Sequence, residues 1–300
     1  GSMPLRVTQN TVKEVGFALL PKVSLPSGST IPYRAGPDLP DPKRTITFQN
    51  RLVHFRTPTR GGEGRGPVLV DRDSRWVEAE VIPFDYNARA KCPLWMQCLQ
   101  DWAVRDPKHP EQTDIWIDIL QRWFGYCLLP HNDYARILLM YGKVRAGKGT
   151  IVKVLQSMFT PEGFRSTSLR RLGRPFGLYG LMRARVISVN EVSTLRDDMA
   201  EDTSYTLKSI VGQDPLSVER KYLPTVENAV IPAKIMMQAN QIPRLPNKGA
   251  GLSSKIIMLP FDNSFLHAED TELDTKLMKE LPGIANWALE GAHKVLDAAD

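Results

Sequence analysis

The chain has 300 residues, 42% of them hydrophobic and 24% charged, a balance that supports a buried core and excludes a disordered or fibrous polymer. A net charge of +6 favours polyanionic partners, nucleic acid among them, although a solvated surface with a mild positive bias gives the same excess. Cys92, Cys98 and Cys127 form neither a paired framework nor a zinc-ligand spacing, which fits a reducing, cytoplasmic setting, and no apolar run approaches the roughly 20 residues of a membrane span.

Gly1-Ser2-Met3 reads as an expression-vector scar, and no signal peptide follows it. Residues 1–44 are rich in Pro, Gly and Ser, with Pro32, Pro37, Pro40 and Pro42 opposing regular structure, and are expected to form an irregular arm or linker. Residues 45–130 predict a small β and helical region. Its strand-like runs are RTITFQNRLVHF, GPVLVDRD and RWVEAEVIPF, with Arg60 and Arg65 in a glycine-rich loop that is either a hairpin tip or a phosphate contact. A helix begins at Pro93. A second carries Trp116, Ile119, Leu120, Trp123, Phe124, Cys127 and Leu128 at helical spacing, a pattern that makes these aromatics core residues rather than base-stacking platforms.

From residue 131 to 265 the pattern changes to short, continuously apolar runs between helices: ILLMY, VISV, KIMMQA and KIIML. Such runs predict an α/β domain with a mostly parallel sheet covered on both faces. Residues 266–300 read as a C-terminal helical segment with a break at Pro282-Gly283.

The most specific motif follows ILLMY. Gly142-Lys143-Val144-Arg145-Ala146-Gly147-Lys148-Gly149-Thr150 has the GxxxxGK core of a phosphate-binding P-loop, between an apolar strand and a helix. Gly142 and Gly147 permit the tight turn, so that backbone N–H groups of the loop, Arg145 and Ala146 included, face phosphates. The helix opening at Lys148 adds its positive dipole end, and the Lys148 ammonium reaches the β- and γ-phosphates. Gly149 stands where Ser or Thr usually follows the lysine, which moves the Mg²⁺-binding hydroxyl to Thr150, one place late. Binding of a nucleoside triphosphate, ATP with Mg²⁺, is the expectation.

Two further strand ends carry polar groups. VISV runs into Asn190-Glu191, where a P-loop ATPase needs a carboxylate beside the γ-phosphate. Glu191 suits a general base for the attacking water, while Asn190, where an aspartate is common, offers Mg²⁺ an amide oxygen without charge. KIMMQA ends in Asn240, which is either a turn asparagine before Pro243 or a contact to the γ-phosphate and lytic water.

On the loop GKVRAGKGTI, the strand end VNE, and the segments LKSIVGQDPLSVERKY, MMQANQIPRL, KIIMLPFDNSF and EDTELDTKLMKELPGIANWALEG, the chain resembles the helicase portion of phage and plasmid primase-helicases. These belong to the third helicase superfamily. The resemblance covers residue 45 to the C-terminus. It implies an AAA+-like P-loop ATPase core in a homo-oligomeric, hexameric ring, ATP between protomers, single-stranded or forked DNA in the channel, and 3′ to 5′ movement. It also implies a primase-polymerase domain further upstream, so the chain is expected to be a piece of a longer protein. By resemblance Asn240 is a sensor, and Arg220 and Lys221 lie on or near a hairpin that grips DNA phosphates. Relatives commonly carry an arginine finger before the Leu-Pro-Phe run. Lys255 occupies that place here and keeps the charge without the planar fork, with Arg244 as an alternative. A ring that binds ATP and DNA without turnover remains a second reading, and a nucleotide kinase, suggested by Gly-Lys-Gly-Thr, a remote third.

Overall fold

The computed structural model describes residues 33–34, 38–57, 66–73, 76–77, 80–103, 108–190, 192, 197–243 and 251–298. The Arg60 and Arg65 loop lies outside them. In chain order, β1 (Tyr33–Arg34) precedes an antiparallel meander of β2 (Thr45–Thr47), β3 (Arg51–Phe55) and β4 (Pro67–Asp71), and β5 (Trp76–Val77) returns to pair with β1. The run TITFQNRLVHF is therefore two strands. The chain turns at Asn50, whose side chain accepts from Tyr86 N at 2.8 Å and donates to Tyr86 O at 3.1 Å.

Two helices follow, α1 (Pro93–Trp102) and α2 (Glu111–Leu128), and then the alternating segment. It runs β6 (Ile137–Gly142), α3 (Lys148–Gln156), β7 (Phe164–Thr167), α4 (Leu169–Leu172), β8 (Val186–Val189), α5 (Asp197–Gly212), a hairpin of β9 (Leu216–Arg220) and β10 (Leu223–Ala229), β11 (Lys234–Ala239) and β12 (Ile256–Phe261). The chain closes with α6 (Leu273–Lys279) and α7 (Leu281–Asp297).

Five of these strands form one parallel sheet in the order β12-β6-β11-β8-β7. Burial is continuous along β8 and over the first four residues of β6 and β11, because both faces are covered. Leu138, Met140, Met236 and Leu259 point into a core shared with α1, α2, α3 and α7, while Ile137, Leu139, Ile235 and Met237 meet Leu207, Ile210 and Val211 of α5 on the other face. Period-two alternation thus divides each strand between two cores.

The first core joins the N-terminal helices to the C-terminal ones. Helices α2 and α7 meet backbone to backbone: a Cβ on Gly125 would lie 2.0 Å from Ala292 N, and one on Gly291 2.0 Å from the Gln121 carbonyl oxygen. Trp95, fully buried, packs edge-on to Trp102 and Trp287 at centroid distances of 5.8 and 5.5 Å. Glu280 caps α1 from outside its own segment, accepting from Leu94 N at 3.1 Å and Trp95 N at 3.0 Å. The expected break at Pro282-Gly283 falls two residues earlier, at Glu280, because Pro282 sits in the first turn of α7, where its missing N–H costs nothing.

Buried cations close the end of α2. Lys234, fully buried, donates to Leu129 O and lies 5.3 Å from the Tyr126 ring, and Arg185 donates to Pro130 O. Beside them burial pushes His131 down to about 4, with Lys234 adding to the shift and Asp133 opposing it. No helix among the described residues is long and apolar enough to cross a membrane.

Gly125→Ala is expected to cost about 1–3 kcal/mol by overpacking α2 against α7. Gly180→Ala, where a Cβ meets nothing within 4 Å, keeps the unfolding midpoint, and urea unfolding of both variants checks the contrast. Because His131 is neutral when folded and titrates near its ordinary 6.5 when unfolded, its contribution is whole above pH 6.5 and is lost as pH falls towards about 4. Melting temperatures across that window drop less steeply in His131→Gln.

Candidate functional site

The glycine loop leaves the C-terminal end of β6, which lies between β12 and β11. Gly142 has φ +131°, and a Cβ there would lie 2.2 Å from the Phe261 carbonyl oxygen of β12, the same oxygen that accepts from Lys143 N at 2.8 Å. Gly147 has φ +89°, and its missing Cβ makes room for the Trp102 indole, which would otherwise be 2.6 Å away. Ser264 Oγ donates to Val144 O at 2.9 Å, and Phe265 N to Arg145 O at 2.9 Å. The loop is thus pinned on one side by β12 and the segment after it, and on the other by α1.

Lys148 opens α3, and only 8% of it is exposed. Its ammonium turns back into the loop, donating to Gly142 O at 2.7 Å and Lys143 O at 2.6 Å, 5.9 Å from the Phe261 ring centroid. Desolvation lowers its pKa. Ile151 N makes the first helical bond, to Gly147 O, so the amides of Lys148, Gly149 and Thr150 are the orphan donors of the helix start. Gly149 is exposed and a Cβ on it meets nothing within 4 Å, so steric need does not explain glycine there. Arg145, at φ +56°, is mostly exposed and lies 3.5 Å from Glu269.

The neighbouring strands end at the same level. Met237 is paired with Val189 and Ala239 with Tyr141, which puts Asn190 and Asn240 beside the mouth of the loop. Asn190 Oδ1 accepts from Ser188 Oγ and Gln238 Nε2, both at 2.9 Å. Asn240 is exposed. Glu191 and Arg244 lie outside the described residues. Lys255 is at the other end of the sheet: its 3-10 turn, Ser253–Lys255, leads into Ile256, the partner of Ile137. Six residues of β6 at about 3.3 Å each separate the two ends by roughly 20 Å. Lys148, Asn190 and Asn240 therefore share one end, and Lys255 does not join them.

Sequence reading missed three features. A cavity of about 420 Å³ adjoins the loop, lined by Asp101, Trp102, Gly147, Thr150, Lys153 and Phe265 among others. No motif marks it, because its walls come from three distant segments. Tyr222, at the tip of the β9–β10 hairpin, is 92% exposed at φ +61°, with the Lys221 ammonium 5.1 Å from its ring centroid, while Arg220 Nε donates to Pro224 O at 2.8 Å. Phe176, half exposed at φ +61°, lies beside Arg170, Arg171 and Arg174. Residues 163–190 contain six arginines and no carboxylate, a bias the sequence did carry.

The molecule is a mixed α/β protein whose five-stranded parallel sheet and glycine loop are compatible with a P-loop ATPase-like core. Its fold is that of the NrS-1 C-terminal region: the apo A form superposes with a TM-score of 0.51 at 16% identity, over 96% of this chain and 63% of that one. A second apo structure of that region (305–718) gives 0.51 at 15% identity, over 72% of this chain and 55% of the other. The chain thus spans less than two thirds of the length of either. A JCV helicase aligns with 58% of this chain and 53% of its own at 16% identity, with a TM-score of only 0.36. A family of unknown function, DUF5906, matches residues 140–252. No curated protein sequence matches.

Two glycine variants separate strain from space in the loop. Gly147→Ala meets both a positive φ and the Trp102 ring and is expected to lower stability and nucleotide binding together. Gly149→Ala is expected to raise stability by about 0.5–1 kcal/mol, since it lies inside a helix in open space. Chemical unfolding and titration with a fluorescent nucleotide measure both.

Proposed function

We propose that the chain is the ATP-hydrolysing, DNA-translocating module of a phage or plasmid-type primase-helicase, working as a homo-oligomeric, hexameric ring on single-stranded or forked DNA. The observation that carries this reading is the buried Lys148 ammonium inside a backbone loop, at the same end of the sheet as Asn190 and Asn240. On binding ATP, Lys148 exchanges the Gly142 and Lys143 carbonyls for β- and γ-phosphate oxygens. The α-phosphate meets the orphan amides at the start of α3, and the nucleoside enters the cavity between Trp102 and Phe265. Glu191, next in the chain after Asn190, takes a proton from the attacking water as the bond between the γ-phosphorus and the bridging oxygen breaks. Asn240 orients that water.

Among the described residues no group of three or more His, Cys, Asp or Glu can hold a metal ion. The Thr150 hydroxyl and the Asn190 amide oxygen are the neutral donors that would hold Mg²⁺ arriving with the triphosphate, the latter by giving up one of the two hydrogen bonds it accepts. Such an ion would supply positive charge to the triphosphate. The same neutral donor set favours the second reading, a ring that holds ATP and DNA without turnover. Tyr222 offers a flat face for a DNA base, with Lys221 and Arg220 for its phosphates, and Phe176 with Arg170, Arg171 and Arg174 offers a second such surface.

Steady-state hydrolysis with and without single-stranded DNA tests the proposal. Lys148→Ala is expected to abolish DNA-stimulated turnover; a rate indifferent to both DNA and this change rules the motor out. Tyr222→Ala is expected to weaken DNA binding by about 1–3 kcal/mol while leaving DNA-independent hydrolysis alone, as read by fluorescence anisotropy beside the hydrolysis assay.

A further inference from the structure

We infer that the cavity beside Phe176 takes in one base of the bound strand and selects a base that carries an amino group, cytosine or adenine, over thymine; the inference rests on the DNA reading above. Three segments build this cavity, whose volume of about 340 Å³ lies within the size range of small-ligand sites. Asp202, Tyr205 and Thr206 line it from α5, where spacings of three and four residues put them on one helical face. Ser217 and Glu219 line it from β9, where alternate residues share a face. The loop of residues 173–178 closes the third side. A Cβ on Gly173 would lie 2.6 Å from Thr203 Oγ1, so this loop is seated directly on α5. Phe176 has φ +61°, a conformation that bulky side chains rarely adopt, and it borders the cavity together with the exposed Tyr205.

The charges around the cavity are sorted by sign. On one side it shares Phe176 and Arg174 with the adjoining cavity of Arg170 and Arg171. On the other, Glu219 is followed in the chain by Arg220, Lys221 and Tyr222 of the hairpin tip. Among the described residues, the side chains of Asp202 and Glu219 have no hydrogen-bond or ion-pair partner, and neither do those of Arg170, Arg171 and Arg174; Ser217 is taken up by Glu227 instead. Cations flanking a pair of carboxylates match the order of charge along a strand, with phosphates on either side and a base edge between them. An ionised carboxylate only accepts hydrogen bonds, and the amino groups of cytosine and adenine donate to it. Thymine has a single ring N–H set between two carbonyl oxygens, and those oxygens meet the carboxylates with like charge. Stacking on an aromatic ring tolerates every base, so the choice falls to Asp202 and Glu219.

Fluorescence anisotropy with labelled oligo-dC and oligo-dT of equal length tests the inference, because the two strands differ in their base edges while both bases are single pyrimidine rings. The unaltered chain is expected to bind oligo-dC about fivefold or more tightly than oligo-dT. Asp202→Asn and Glu219→Gln keep the side-chain shape and add N–H donors that a thymine oxygen accepts. Each is expected to bring the ratio of the two affinities towards unity, and the double variant to abolish the preference. Raising the salt concentration weakens both strands through their phosphates and leaves the ratio in place. Equal or weaker binding of oligo-dC by the unaltered chain, or an unchanged ratio in the double variant, overturns the inference while the DNA reading stands. Binding of neither strand overturns both. Melting temperatures identify any variant that fails to fold; if the double variant is one, the two single variants carry the comparison.

Discussion

The site depends on one ammonium group turned inwards. Lys148 sits at the first turn of α3, bonded to the carbonyls of Gly142 and Lys143, and every neighbour of the loop serves to keep that curve closed. Phe261 O ties one limb, Ser264 and Phe265 tie the other, and the Trp102 indole fills the space that a side chain at Gly147 would need. Burial lowers the lysine's affinity for its proton. A charge held this way has its donors already aligned on the loop.

The sheet order explains why this geometry works at the centre of the fold. β6 lies between β12 and β11, and β8 follows on the far side of β11, so strands distant in sequence end together. Asn190 and Asn240 come to the loop through parallel pairing alone. The same rule sends the residues before each strand, Arg136 and Lys255, to the opposite end. The length of the strands thus keeps these two cations roughly 20 Å from the glycine loop.

Much of this was legible in the sequence because local chemistry dictates it. GKVRAGKGT after ILLMY defines the strand, turn and helix start, and the continuously apolar runs mark buried parallel strands. What escaped was set by distant pairing. Asn50 breaks an apparently continuous strand because its amide finds Tyr86. Pro282 begins a helix that it seemed to interrupt, since Glu280 is taken up in capping α1. The short β7 has only Phe164 buried and resembles a loop. The cavity beside the loop is built from α1, α3 and the segment after β12, and Tyr222 shows its exposure only once the hairpin is folded.

The cap on α1 has a consequence for how the molecule comes into being. Leu94 and Trp95 wait for a carboxylate that follows 186 and 185 residues later, and Gly125 waits for Gly291. The apolar faces of α1 and α2 also meet β6 and α3, but the cap on α1 and the close approach of α2 to α7 form only once Glu280 and Gly291 have been made. Contacts of such long sequence separation carry a loop-closure cost that slows the step in which the two pairs of helices meet.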